Sequence, residues 1–151
     1  MCGISGILGL RSCRIDQLQR SVEVMNKLQK HRGPDGEGTW MSSSESVGLG
    51  HVRLSVIDLK TGQQPMSSDS GCTITYNGEI YNFLEIRNEL KASSFNTKSD
   101  TEVILRSYDK WGKDCVSKFR GMFSFAIWDE KKKELFCARD RFGIEGVYSR
   151  K

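Results

Sequence analysis

Met1-Cys2-Gly3-Ile4-Ser5-Gly6 begins the chain, and its reading decides what kind of molecule follows. In one reading Cys2 is a small buried residue leading into a first strand, as inert cysteines commonly are. In the other, removal of Met1 leaves a thiol and a free α-amine on one residue. Their ordinary pKa values are about 8.5 and about 8, so a nucleophile and a matched base sit together. A free N-terminal amine is a known activator of a side-chain nucleophile. Gly3 and Gly6 flank the apolar run and permit close approach of backbone to a substrate. Both readings make residues 4–10 a buried strand, so the choice rests on the remaining sequence.

Downstream, Asp16 is expected to cap a helix, with Gln19 in the reciprocal capping-box position. Leu18, Val22, Met25 and Leu28 recur there at helical spacing. His31-Arg32-Gly33-Pro34-Asp35-Gly36 ends that helix, because Gly33 and Pro34 break it and Asp35-Gly36 favours a turn. Residues 38–41, 47–52 and 54–57 read as extended pieces, the last two flanking Arg53. Residues 60–66 read as a loop. Cys72-Thr73-Ile74-Thr75-Tyr76 alternates apolar and polar residues and reads as a strand. Asn77-Gly78 ordinarily marks a hairpin turn. A helix signal follows it instead, with Asn82 at the N-cap, Glu85 at N3 and an apolar face of Phe83, Ile86 and Leu90. A further helix is expected from Ser99 or Asp100 to Trp111, stopped by Gly112, then a short one over 116–119. Residues 122–128 and 135–138 read as strands paired across a turn at 129–133, and 143–148 as a last extended piece.

The chain has 151 residues, about one domain. A net charge of +4 with interspersed signs gives no footprint for nucleic acid, and the longest basic run is Lys131-Lys132-Lys133. Five cysteines with no C-x-x-C pair indicate neither a disulfide framework nor a zinc site. A reducing cytoplasm is the expected compartment. No apolar run approaches the roughly 20 residues a membrane helix needs, and residues near Met1 lack the pattern of a secretion signal.

Five stretches settle the choice posed by Cys2. They are Cys2-Gly3-Ile4-Ser5-Gly6, His31-Arg32-Gly33-Pro34-Asp35-Gly36, Arg53-Leu54-Ser55-Val56-Ile57-Asp58, Asn77-Gly78-Glu79-Ile80-Tyr81-Asn82 and Ser99-Asp100-Thr101-Glu102. In this order the chain resembles the glutaminase domain of glutamine-hydrolysing asparagine synthetases, a class II glutamine amidotransferase. Arg120-Gly121-Met122-Phe123-Ser124-Phe125-Ala126 and Arg139-Asp140-Arg141-Phe142-Gly143-Ile144 agree. The resemblance covers residues 1 to about 144. It implies an α+β fold: a four-layer αββα N-terminal-nucleophile hydrolase sandwich with mainly antiparallel sheets.

The resemblance also implies roles. Cys2 is the nucleophile, forming a γ-glutamyl thioester and releasing ammonia, with its own amine shuttling the proton. The Asn77 side-chain amide and the Gly78 N–H stabilise the tetrahedral oxyanion. Arg53 binds the glutamine α-carboxylate, where a planar two-donor fork suits the ligand. Asp100 pairs with the α-ammonium, Glu79 helps hold the same amine, and Val56 completes the substrate-binding set. Gln63-Gln64-Pro65 resembles the family's active-site flap. His31 and His51 are expected to be structural. Taken singly, Arg53 as a strand-edge charge, Asn77-Gly78 as a turn and Asp100 as a helix cap are equally natural readings.

Two departures stand out. The family usually continues Gly-Ile-Lys-Pro-Leu-Tyr, whereas Gly143-Ile144 is followed here by Glu145-Gly146-Val147-Tyr148. A domain spanning 1–151, incomplete at its C-terminus, is therefore expected, with an exposed sheet edge. No phosphate-binding glycine loop is found, so ATP and magnesium would belong to a synthetase module elsewhere, in cis or in trans, and this domain needs no cofactor of its own. L-glutamine is the expected ligand, with nucleic acid and membrane excluded as partners. Ammonia supply for asparagine formation leads. Alternatives are a glutaminase serving another carboxylate acceptor, and an inactive remnant that binds glutamine or a partner.

Overall fold

Alternation along three short strands builds the first sheet. The computed structural model describes residues 2–54, 62–91 and 95–150. Strands β1 (Gly3–Leu8), β2 (Gly36–Met41) and β3 (Val47–Arg53) pair antiparallel in the order β1-β3-β2. Successive side chains of a strand point to opposite faces. On β3 this sends Val47, Leu49, His51 and Arg53 one way and Gly48, Gly50 and Val52 the other. Helix α1 (Leu18–Leu28) lies on the glycine side. A Cβ on Gly50 would run into Asn26, Ser5 and Val22, so the glycine sets how closely helix and sheet approach. Leu18 and Val22 are buried there, together with Asn26, whose amide donates to the Gly38 carbonyl at 3.0 Å.

A second antiparallel sheet has the order β4-β5-β6-β7, from β4 (Met66–Ser67), β5 (Cys72–Ile80), β6 (Gly121–Asp129) and β7 (Glu134–Arg139). Its outer face carries helices α2 (Phe83–Leu90) and α3 (Asp100–Trp111), followed by a 3-10 helix over Gly112–Lys118. The main core lies between this sheet and its helices. Ile74, Ile80, Val103, Ile104, Phe119, Phe125 and Ile127 are fully enclosed in it. Phe123 and Phe125 stack at 5.9 Å, and Phe119 meets Phe123 edge-on at 5.8 Å. Such pairs add about 1 kcal/mol beyond area burial.

The two sheets face one another, with β5 against β1 and β3. The layers therefore run helix, sheet, sheet, helices. Between the sheets the buried apolar set is small: Val47, Leu49 and Trp128. His51 and Thr75 stitch this interface by hydrogen bonds to the Tyr76 and Gly50 carbonyls, at 3.2 and 2.9 Å.

Several local expectations are corrected. Strand β5 does not end before Asn77-Gly78 but runs through both to Ile80, pairing Gly78 with Phe123. Asp16 does not cap α1. Gln17 occupies the N-cap with φ 55° and makes no side-chain capping bond, while Gln19 bonds Glu23. Asn82 holds the N-cap position of α2, but its amide bridges the Lys118 carbonyl and the Arg120 N–H instead. Residues 143–148 form no strand. Leu54 lies beyond the end of β3 at Arg53, and the rest of the strand read over 54–57, Val56 included, lies outside the described residues, as does Met1. No helix among the described residues is long and apolar enough to cross a membrane.

Candidate active site

The site lies at one end of the space between the sheets. Strand β3 ends there at Arg53, and Cys2 stands there just before β1. Parity on β5 does the rest: Thr73, Thr75, Asn77 and Glu79 share the face turned toward the first sheet, while Ile74, Tyr76 and Ile80 face the helices. The result is a cavity of about 230 Å³ lined by Cys2, Arg53, Asn77, Gly78, Glu79 and Asp100. Six of the seven residues singled out in the sequence thus meet at one place, although they come from four separate segments. Val56, the seventh, lies outside the described residues.

Cys2 is half-buried. Its Sγ accepts the Leu54 N–H at 3.4 Å and lies 3.7 Å from the Leu54 carbonyl. Its carbonyl receives Arg32 Nε at 3.0 Å, which anchors the backbone of the residue. The other thiols sit elsewhere. Burial raises the thiol of Cys72 and pushes Cys115 up to about 12, so these two form the reactive thiolate less readily. All five cysteines are free.

Gly78 has φ 137°, and a Cβ there would collide with the Met122 carbonyl and the Phe123 Cα. Only glycine satisfies both limits. The Asn77 side chain, 5% exposed, projects into the cavity from the neighbouring position.

Asp100 opens α3, but capping is done by Ser99, whose Oγ accepts the Glu102 N–H at 3.3 Å. The Asp100 carboxylate is thereby left for other work. It accepts the Tyr76 hydroxyl at 2.6 Å and the Ile80 N–H at 3.1 Å. Burial lifts its pKa above the ordinary carboxyl value, and these two hydrogen bonds oppose that lift. Burial likewise holds the Tyr76 hydroxyl well above its ordinary pKa, reinforced by the adjacent Asp100 charge. Tyr76 is therefore a neutral donor that fixes the carboxylate. Gln64, from the stretch read as a flap, accepts the Tyr76 N–H at 2.7 Å and donates to Thr101 Oγ1 at 3.3 Å. His51 is structural: burial lowers its pKa from 6.5 to about 4.

Sequence reasoning missed Glu145. It is 2% exposed, lines the cavity and accepts the Asn77 amide N–H at 2.5 Å. Its signal was present in the break from Gly-Ile-Lys after Ile144, but nothing local said that this residue turns back under β5. Asp140 supplies the reason. Its buried carboxylate accepts N–H groups from Phe142, Ile144 and Glu145, each at 3.0 Å, and winds the segment inward. Burial opposes its charge, but those hydrogen bonds outweigh the penalty and hold its pKa below the ordinary value. Among the described residues no cluster of His, Cys, Asp or Glu is arranged to hold a metal ion.

A family model described as a glutamine amidotransferase domain matches residues 1–151. A putative glutamine-hydrolysing asparagine synthetase 2 of Methanocaldococcus jannaschii is 42% identical over 98% of this chain and 32% of its own length. Asparagine synthetase 1 of Bacillus subtilis is 43% identical over 98% of this chain and 24% of its own. A protein named Amidase chry2 from Gibberella zeae is 38% identical over 98% and 24%. The chain thus spans about a quarter to a third of the length of these relatives. Among solved structures, the glutamine phosphoribosylpyrophosphate amidotransferase of B. subtilis superposes with a TM-score of 0.66 at 23% identity, covering 86% of this chain and 35% of that one. That likeness gives the fold: an α+β sandwich of two antiparallel sheets between layers of helix. Matched from residue 1 to residue 151, the chain belongs to the glutamine amidotransferase domain family.

Proposed function

We propose that this domain hydrolyses glutamine to glutamate and ammonia through a thioester on Cys2. The observation that carries the reading is the meeting of Cys2, Arg53, Asn77, Gly78 and Asp100 around one cavity between two sheets. Arg53 binds the α-carboxylate of glutamine and Asp100, with Glu79 beside it, the α-ammonium. These contacts fix the side-chain amide against the thiol. With Met1 removed, the Cys2 amine takes the thiol proton as sulfur attacks the side-chain amide carbon, Cδ. The Asn77 amide and the Gly78 N–H receive the oxyanion, a contribution of about 3 kcal/mol per donor. The proton then passes to the departing nitrogen, the C–N bond breaks, and ammonia leaves a γ-glutamyl thioester. Water, deprotonated by the same amine, releases glutamate and restores the thiol.

The ammonia feeds an ATP-dependent synthetase module, where aspartate accepts it to form asparagine. Two relatives named as glutamine-hydrolysing asparagine synthetases support that acceptor. The similarity to a protein named Amidase chry2 favours keeping a second reading, the same glutaminase serving a different carboxylate. A cytoplasmic setting suits the free thiols. Two measurements test the reading together: ammonia release from glutamine by the chain and by Cys2→Ala, and intact mass of the protein made in cells. Activity that depends on Cys2 in a protein lacking Met1 is the expected result. Full activity with Met1 retained, or after loss of the thiol, contradicts it.

A further inference from the structure

Glu145 is left without a role in this reaction, and its surroundings are unusual. Its side chain is almost wholly buried, yet Oε1 has no hydrogen-bond partner. The other oxygen, Oε2, accepts from Asn77 Nδ2 at 2.5 Å. Among the described residues its ion-pair partner is the half-buried Arg32, whose Nη2 is 4.0 Å away and whose Nε is committed to the Cys2 carbonyl. A buried carboxylate with one bare oxygen and a distant counter-ion is costly. It is held there by the Asp140 turn, which grips its backbone N–H. Cys2 and Gly78 line the same cavity.

We propose that Glu145 is a built-in brake on the oxyanion hole. In the arrangement seen here its carboxylate occupies the amide donor that the tetrahedral oxyanion needs and places a negative charge beside the point where a second would develop. An ionised acceptor binds an amide N–H more strongly than the neutral carbonyl of a substrate does. Glutamine therefore cannot take the donor by binding alone, and turnover requires Glu145 to withdraw. Residues 144–150 pair with neither sheet, so withdrawal of the side chain breaks its bond to Asn77 without breaking a strand ladder. The proposal rests on the reading of Asn77 as an oxyanion donor. It differs from a positioning role, in which Glu145 would orient Asn77 and its loss would slow the reaction.

The test uses the full chain and two variants. Glu145→Gln keeps the shape and removes the charge. Glu145→Ala removes both. Glutamine hydrolysis, thermal unfolding and protection of Cys2 from iodoacetamide by glutamine are measured for all three proteins. A brake predicts kcat higher by about tenfold in Glu145→Gln and by at least as much in Glu145→Ala, since a like charge next to the oxyanion is gone. Melting temperatures should not fall, because a poorly paired buried charge is lost in each. Unchanged or lower rates in both variants, while glutamine still protects Cys2, overturn the brake and leave the glutaminase reading standing. Absence of protection in all three proteins overturns both.

Discussion

The two faces of β5 differ in chemistry by one residue of parity. Ile74, Tyr76 and Ile80 turn toward α2 and α3 into an interior of isoleucine, valine and phenylalanine. Thr75, Asn77 and Glu79 turn toward the first sheet, where the apolar set shrinks to Val47, Leu49 and Trp128 and hydrogen bonds carry much of the contact. The first face provides stability. The second accepts polar side chains that a well-packed core would reject, and the cavity opens at its end. A strand buried on both sides can thus hold Asn77 in its ladder while the side chain projects into the cavity.

This division predicts which property each substitution moves. Phe125→Ala removes a fully buried ring that packs against Phe119, Phe123 and Phe136. It should cost about 4 kcal/mol of stability. Chemical denaturation measures that, and a loss under about 1 kcal/mol would mean that the helix-side core is not the stabilising one.

His51 probes the polar side. It is folded neutral, with its pKa lowered from 6.5 to about 4, while the unfolded chain takes up the proton near the ordinary value. Its contribution is therefore whole above pH 6.5 and is lost as pH falls toward about 4, by up to about 3 kcal/mol. Comparing the acid dependence of stability in the wild type and in His51→Gln isolates this share. Parallel curves would contradict it.

Asn77→Ala should lower kcat for glutamine on the order of a hundredfold, with a smaller effect on KM, because the oxyanion exists mainly in the transition state. If KM alone rose, Asn77 would be a binding group. Arg53→Lys keeps the charge but loses the planar fork, so KM should rise by about tenfold with kcat little changed. An unaltered KM would remove Arg53 from the carboxylate site.

Sequence made the helices and most strands legible because their alternation and spacing are local. It failed where a local signal had a stronger competitor. The alternation that starts at Cys72 continues without a break to Ile80, but Asn77-Gly78 carries so strong a turn preference that the strand was ended too early. In the structure the glycine serves close approach to β6, not a turn. Asp16 and Gln19 matched a capping pattern, yet Gln17 takes the N-cap through its backbone alone. The site residues were readable through resemblance, since each sits in a short recognisable stretch. Their common location was not, because it depends on the parity of β5 and on where β3 stops. Glu145 was beyond reach, since four backbone groups gathered on Asp140 bring it in.

The claim on which the function depends is that Cys2, at the end of the polar inter-sheet space, becomes covalently acylated. Acid quenching during glutamine turnover, followed by peptide mapping by mass spectrometry, tests it directly. The account predicts a γ-glutamyl adduct on the peptide carrying Cys2, removed by hydroxylamine and absent from peptides carrying Cys13, Cys72, Cys115 and Cys137. Glutamate production at an undiminished rate after Cys2→Ala, with no adduct on the wild-type Cys2 peptide, would contradict it.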